Sequence, residues 1–404
     1  MTVPAITHAG GGITAPAGFR AAGVACGLKP SGLDFALLVS DEVASAAGLF
    51  TTNLAVAAPV VVSREQLARS GGYARVIAVN SKCANACTGA EGMQAARAMA
   101  AATAEAVGCD PAHVLIASTG VIGMRLDTAK VTAGIAEAAR GLGRDGHLAA
   151  AEAILTTDIG PKEAALHIAT PRGSFTIGGM VKGAGMIEPN LATMLGFLTT
   201  DAAVDPAALR NALREVADDT FNAITVDGEP STNDTVFMLA NGASGVRLDE
   251  ATYPAFVAGL HELCTGLARE IVRGGEGATK LVTVRVTGAA SRQDARRTAR
   301  LIANSPLVKT ALNGGDPNWG RLVAVAGRAG VAFHPDRTVV QIGGITLYDG
   351  TTIFTERESE AAAHLKEHEV EVTVDLGVGG AGAATMWTCD FSAEYVHINA
   401  DYRT

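Results

Sequence analysis

Short apolar runs broken by Gly, Pro, Asn and Ser dominate the chain from Phe19 to about Ser81. FRAAGVACG, LDFALLVSD, AAPVVVS and ARVIAVNS are of strand length and rich in Val, Leu and Ala, so this stretch reads as sheet-forming. Apolar positions then recur at helical spacing in Ala90 to Val107, Asp127 to Leu142 and His147 to Leu155, with VLIAST between the first two as a buried strand. Past Lys162, EAALHIAT and GSFTIGGMV predict two strands, followed by a glycine-rich turn and the strand TMLGFLTTDA. A helix is predicted over Asp205 to Asn222, with Pro206 in its first turn. The strand DTVFMLA and a long amphipathic helix from Tyr253 to Arg273 come next. From Lys280 the pattern predicts a strand, a helix over Arg292 to Ala303, several strands, a charged helix over Glu358 to His368 and a closing pair of strands. Strands and helices are grouped rather than strictly alternating, which favours α+β layers over a doubly wound parallel sheet.

Composition narrows the setting. The 404 residues include 47 glycines, well above the usual ~7%, so tight turns and close backbone approaches are frequent. The formal net charge is −9 and there is no Lys/Arg-rich run, which excludes nucleic acid as a main partner because such affinity is mostly neutralised phosphate charge. The opening MTVPAITHAGGGITAP lacks a basic region and an apolar core, and every alanine-rich run is interrupted by charged or polar residues. Neither a signal peptide nor a membrane span is expected, and the protein reads as soluble and cytoplasmic. Six cysteines, at 26, 83, 87, 109, 264 and 389, form no paired C-x2-C pattern and read as free thiols.

Two motifs resemble functional signatures and fail on context. Gly377-Val-Gly379-Gly-Ala-Gly382 matches G-x-G-x-x-G after a strand, but the following ATMWTCDF alternates with period two. A strand there offers no helix N-terminus for a pyrophosphate, so a glycine-rich hairpin loop is expected. His364-Leu-Lys-Glu-His368 matches H-x-x-E-H, yet it lies in a short, highly charged helix with few residues left for a third ligand. A solvated face is expected, and no metal.

The segment Lys182-Gly-Ala-Gly-Met-Ile-Glu-Pro-Asn-Leu-Ala192-Thr193-Met-Leu-Gly-Phe-Leu passes from a turn-rich stretch into an apolar strand at an Ala-Thr pair. One reading is an ordinary loop entering a core strand. The other is cleavage between Ala192 and Thr193 by an N→O acyl shift. An internal Thr nitrogen is an amide, whereas an N-terminal one is an amine of pKa about 7.7–8.0 that takes the hydroxyl proton.

This segment resembles the self-cleavage site of the ArgJ family of ornithine acetyltransferases, also called glutamate N-acetyltransferases. The resemblance spans the chain through GITAPAGFRAAGVACGLKPSG, NSKCANACTG, STGVIG, TTDIGPKEA, DGEPSTNDTV, GGEGATK, SPLVKTALNGGDPNWGR and EYVHINADYRT. It implies an α+β fold, a layered α/β/β/α sandwich over 1–279 with a smaller α+β domain over 280–404 whose tail closes the site. It also implies cleavage into 1–192 and 193–404 and assembly of two copies of each piece. Thr193 becomes the nucleophile, Thr119 (hydroxyl) and Gly120 (backbone N–H) the oxyanion donors, and Thr156, Lys182, Thr193, Glu276, Asn399 and Thr404 the substrate contacts. The implied reaction moves an acetyl group from N2-acetylornithine to glutamate with no cofactor; some members also take acetyl-CoA as donor. A hydrolase like the related self-cleaving aminopeptidases is the enzymatic alternative, and an uncut, non-catalytic amino-acid binder is a second. The chain departs from the family at Lys82-Cys83, where Gly commonly precedes Asn or Gly, and at Glu229-Pro230, where Asp or Ser is more usual at the first position.

Overall fold

The computed structural model describes residues 5–188 and 194–401. The first nine strands are β1 (Ala5–Ala9), β2 (Phe19–Val24), β3 (Phe35–Phe50), β4 (Tyr73–Asn80), β5 (Val114–Ser118), β6 (Lys162–Thr170), β7 (Gly173–Lys182), β8 (Leu195–Thr200) and β9 (Thr235–Ala240). Among the described residues they pair in the order β1-β6-β7-β8-β9-β3-β4-β5, with β2 on β3. The β8–β9 and β4–β5 pairs are parallel and the others antiparallel. Six helices accompany them: α1 (Ala58–Arg69), α2 (Gly89–Val107), α3 (Thr128–Arg140), α4 (His147–Ala153), α5 (Pro206–Asp219) and α6 (Tyr253–Arg273).

Strand alternation explains the layering, because successive side chains face opposite sides. On β3, Phe35, Leu37 and Val39 pack with α2 and α3, while Ala36 and Leu38 face a middle core shared with Phe197 and Phe237. The β3–β4 register shifts between Val39 and Ala44; beyond it Ala47 and Leu49 join a third core under α5 and α6. One long strand therefore contributes to every layer. Helices α1–α3 cover one outer face, α5 and α6 cover the other, and the two sheet layers meet through Ile13, Phe19, Met180 and Leu195. This is the expected α/β/β/α arrangement. Burying each of these Phe or Leu side chains stabilises the fold by about 1.5–3 kcal/mol.

A second sheet begins after α6. Its strands are β10 (Leu281–Ala289), β11 (Val339–Ile342), β12 (Ile345–Tyr348), β13 (Glu369–Asp375) and β14 (Gly382–Cys389), in the order β12-β11-β13-β10-β14. Helices α7 (Arg292–Ala303), α8 (Pro306–Gly314), α9 (Trp319–Gly327) and α10 (Glu358–His364) bury Ile302, Leu312, Leu322 and Ala361 against Val284, Val340 and Val372. Leu281 and Cys389 instead join the core under α6, which ties the two sheets together. Helix α11 (Ala393–Asp401) follows β14.

Four readings are corrected. AAPVVVS is not a strand but the start of α1: Pro59 occupies the first turn, where its missing N–H costs nothing, and Val60 and Val62 are buried. Helices α8 and α9 stand where only strands were predicted between Ala303 and Glu358. Their starts are written in capping residues, since the Ser305 hydroxyl accepts from the Val308 N–H and the Asn318 side chain from the Arg321 N–H. The glycine-rich stretch after β13 is no hairpin, because β10 lies between β13 and β14. A Cβ on Gly380 or Gly382 would lie 2.1 or 2.3 Å from the carbonyl oxygens of Ala289 or Ser291, so the glycines allow the chain to cross the end of β10. The last described element is not a strand: a helix, α11, follows the two closing strands. As for the H-x-x-E-H pair, His364 Nε2 accepts from the Glu371 N–H and His368 Nδ1 faces the Thr279 carbonyl. No helix among the described residues is long and apolar enough to cross a membrane.

Candidate active site

Thr119 and Gly120 form the corner that ends β5. The Thr119 N–H donates to Asn80 O at 3.0 Å and the Val121 N–H to Lys82 O at 2.9 Å, but among the described residues no acceptor meets the Gly120 N–H between them. Gly120 has φ 128°, and a Cβ there would lie 2.2 Å from both the carbonyl carbon and the oxygen of Lys82. Only glycine fits this corner. Lys82 itself, the first of the two departures, has φ 77°, in the left-handed region that costs an L-residue about 1–2 kcal/mol. Its neighbour Cys83 is buried, with Sγ 3.2 Å from Met124 O. Behind the corner, Asn233 donates to Ala84 O at 2.6 Å and to Ser118 O at 2.8 Å, and Ser118 Oγ donates to Asn80 Oδ1 at 2.6 Å.

Lys182, at the end of β7, is buried and donates from Nζ to Thr156 Oγ1 at 2.6 Å and Thr119 Oγ1 at 3.3 Å. Asp158 lies behind it with no exposed side-chain surface, 3.8 Å from Lys182 Nζ and 2.6 Å from Lys162 Nζ. Its oxygens also accept from the Gly183 N–H at 2.8 Å and the Thr156 N–H at 3.3 Å. Burial pushes the Asp158 carboxyl up, but Lys182, Lys162 and the Gly183 N–H outweigh it and hold the group below the usual carboxylate range. Burial pushes the Lys182 ammonium below the ordinary lysine value, and Asp158 opposes that shift.

Glu276 follows α6 in a glycine-rich turn, and its N–H donates to Ala184 O at 2.8 Å. Asn399, on α11, donates from Nδ2 to Glu276 Oε2 at 2.8 Å. Helix α11 thus packs over the pocket, and Tyr395 adds a 3.2 Å hydrogen bond to Asp227 Oδ2. Burial and the Asp227 charge push the Tyr395 phenol up. Asp227 also accepts from the Met186 and Ile187 N–H groups at 2.7 and 2.8 Å, holding Met186 at φ 54°. A Cβ on Gly185 would lie 2.3 Å from Glu276 Oε2, so any larger residue there would displace the Glu276 carboxylate. Asp234 is buried with Oδ2 unpartnered among the described residues. Burial raises its carboxyl well above the usual range, and Ser231 and Lys182 offset this only in part.

Thr119, Gly120, Thr156, Lys182, Glu276 and Asn399 line one cavity of ≈ 180 Å³. They come from five separate parts of the chain and were each expected on the sequence. Ala192, Thr193 and Thr404 lie outside the described residues. Met194, which follows Thr193 in the chain, lines the same cavity, and its carbonyl accepts from the Thr235 N–H at 2.9 Å. Glu229, the second departure, also lines it. Asp158, Asp227, Asn233, Asp234 and Tyr395 were not singled out, although all but Tyr395 sit in TTDIGPKEA or DGEPSTNDTV and Tyr395 sits in EYVHINADYRT. Their place inside those motifs was the available signal.

The sequence pattern of the ArgJ family matches residues 20–404. The chain is 49% identical over 400 residues to the arginine biosynthesis bifunctional protein ArgJ of Symbiobacterium thermophilum, covering 98% of this chain and 99% of that protein. To the protein of the same name from Parasynechococcus marenigrum it is 45% identical over 395 residues, covering 98% and 96% respectively. Among solved structures, ornithine acetyltransferase complexed with ornithine from Mycobacterium tuberculosis aligns at TM-score 0.43 and 43% identity, covering 46% of this chain and 100% of that one. With the family pattern running from Arg20 to Thr404 and near-half identity over almost the whole length of such relatives, the chain belongs to the ArgJ family.

Proposed function

We propose that this protein is an acetyltransferase of arginine biosynthesis that carries an acetyl group from N2-acetylornithine to glutamate through an acetyl-threonine intermediate. The observation that carries this reading is the convergence of Thr119, Gly120, Thr156, Lys182, Glu276 and Asn399 on one cavity that Met194 also lines. Cleavage between Ala192 and Thr193 frees the Thr193 amine. That amine takes the Thr193 hydroxyl proton, and Oγ attacks the acetyl carbonyl; the Thr119 hydroxyl and Gly120 N–H stabilise the oxyanion, each such donor being worth about 3–4 kcal/mol. Collapse expels the α-amine of ornithine, which takes the proton. Glutamate's amine then attacks the acetyl-Thr193 ester by the reverse sequence, restoring the hydroxyl and releasing N-acetylglutamate.

Lys182 and Thr156 offer polar contacts to substrate, Asn399 and Thr404 do so from the tail, and Glu276 offers a charge partner for a substrate ammonium. The chemistry requires neither metal nor organic cofactor in this scheme, and acetyl-CoA serves as a second acetyl donor. Two copies each of 1–192 and 193–404 assemble in the cytoplasm.

Intact-mass measurement after brief exposure to acetylornithine tests cleavage, nucleophile and donor together. The expected result is two pieces with one acetyl group on the Thr193 amino-terminal piece, and a single uncut chain for Thr193→Ala. Two pieces in Thr193→Ala, or acetate released without acetylglutamate when glutamate is present, overturns the reading in favour of other cleavage chemistry or a hydrolase.

A further inference from the structure

We propose that Asp158 and Lys182 form a positioning unit that fixes the Thr119 hydroxyl as a hydrogen-bond donor into the cavity. This rests on the reading that Thr119 and Gly120 hold the oxyanion, and it adds a residue, Asp158, that does not line the cavity.

Hydrogen-bond direction carries the inference. An ammonium has three donors and no acceptor, while a threonine hydroxyl has one donor and two lone pairs. Lys182 Nζ lies 2.6 Å from Thr156 Oγ1 and 3.3 Å from Thr119 Oγ1, so as an ammonium it occupies a lone pair on each oxygen and can take neither proton back. The Thr119 proton must point elsewhere. No described residue accepts it, and the adjacent Gly120 N–H is equally unused, so both donors are available at the one corner that opens on the cavity. A neutral amine would reverse this. Its single lone pair is open to the Thr119 or the Thr156 O–H, so the Thr119 proton would no longer be confined to the cavity.

Among the groups around Lys182, the carboxylate behind it favours the ammonium most. Asp158 is held by the Gly183 and Thr156 N–H groups, so it cannot swing away, and it stands between Lys162 at 2.6 Å and Lys182 at 3.8 Å. Two buried lysines share one carboxylate. The shorter contact goes to Lys162, leaving Lys182 the less neutralised cation and the one that faces the cavity. The other charged groups acting on Lys182 are Glu276 and Asp234, which favour its ammonium, and Lys162 and Lys29, which disfavour it. Burial acts against the ammonium, so removing Asp158 shifts the balance toward the neutral amine.

The test uses the cleaved enzyme and follows acetyl transfer from acetylornithine to glutamate across pH. For Asp158→Asn the expected result is a kcat lower by about a hundredfold at pH 8, the low end of the range for losing one oxyanion donor. KM rises as well, because Lys182 also contacts substrate, and kcat recovers toward lower pH because its alkaline limb has moved down. In a Thr119→Ala background the same substitution has no further effect on kcat and moves no limb. Lys162→Met leaves Asp158 to Lys182 alone and moves the limb upward, which decides the matter if Asp158→Asn does not fold. An even loss at every pH that adds to that of Thr119→Ala, or an unmoved limb in Lys162→Met, overturns the proposal. Full activity in Thr119→Ala would instead sink the oxyanion reading on which it rests.

Discussion

Asn233 Nδ2 donates to the carbonyl oxygen of Ser118 at 2.8 Å, one residue before Thr119. The same nitrogen donates to Ala84 O at 2.6 Å, so one buried carboxamide joins the strap ahead of β9 to both segments that make the oxyanion corner. Asn233→Ala leaves two buried carbonyls without donors, at about 1–3 kcal/mol each. The expected outcome is a lower thermal midpoint together with a kcat about tenfold to hundredfold down and a KM little changed. A melt and steady-state kinetics on the same preparation check it; a stability loss with kcat intact would show that the corner keeps its geometry without the strap.

Gly120→Ala forces a Cβ to 2.2 Å from the Lys82 carbonyl, at φ 128°. Both the corner and the direction of the Gly120 N–H must change, so kcat falls about a hundredfold or more, as for a lost oxyanion donor. Gly123→Ala is the control. It also has positive φ, 77°, but its Cβ meets nothing within 4 Å, so it carries only a backbone cost of about 1–2 kcal/mol and leaves kcat unchanged. Equal kinetic effects from the two substitutions would contradict the steric argument.

Lys82 tests the same corner from the other side. Its φ of 77° suits glycine, so Lys82→Gly relieves left-handed strain while adding unfolded-state entropy. The two nearly offset, with a net gain of up to about 1 kcal/mol in chemical denaturation. A loss larger than that would mean the Lys82 side chain makes a stabilising contact that outweighs its backbone strain.

The layered fold was legible because β3 and its neighbours are short apolar runs bounded by turn residues, buried on both faces, and α5 and α6 carry continuous apolar faces, Leu209 to Val216 and Phe256 to Ile271. Val60 to Val62 misled because β-branched residues favour strands, and only Pro59 in a first helical turn signalled otherwise. Helices α8 and α9 were short enough that their caps, Ser305 and Asn318, outweighed periodicity as signals. At the site, Thr119, Gly120, Thr156, Lys182, Glu276 and Asn399 were legible from motif resemblance, whereas Asp227, Asp234 and Tyr395, which line the same cavity, were missed. Asp158 and Asn233 were missed too, because a buried carboxylate or carboxamide has its role set by the partners that folding brings to it: Lys162 and Lys182 for one, Ala84 and Ser118 for the other.

Asp234 connects the cavity wall to stability. Its carboxyl is raised well above the usual range by burial, and its Oδ2 has no partner among the described residues. A folded-state pKa above the unfolded value of about 3.9 means that the native state binds the proton more tightly. The resulting stability is complete below the unfolded pKa and is lost as pH rises through the folded one. Asn has nearly the same shape and no proton to lose, so Asp234→Asn removes this dependence. The two proteins should differ little in urea unfolding free energy at pH 4, with the variant gaining on the wild type as pH rises toward 8. A difference that stays constant from pH 4 to 8 would show that Asp234 ionises in the fold as easily as in the unfolded chain, with Lys182 and Ser231 compensating its burial in full.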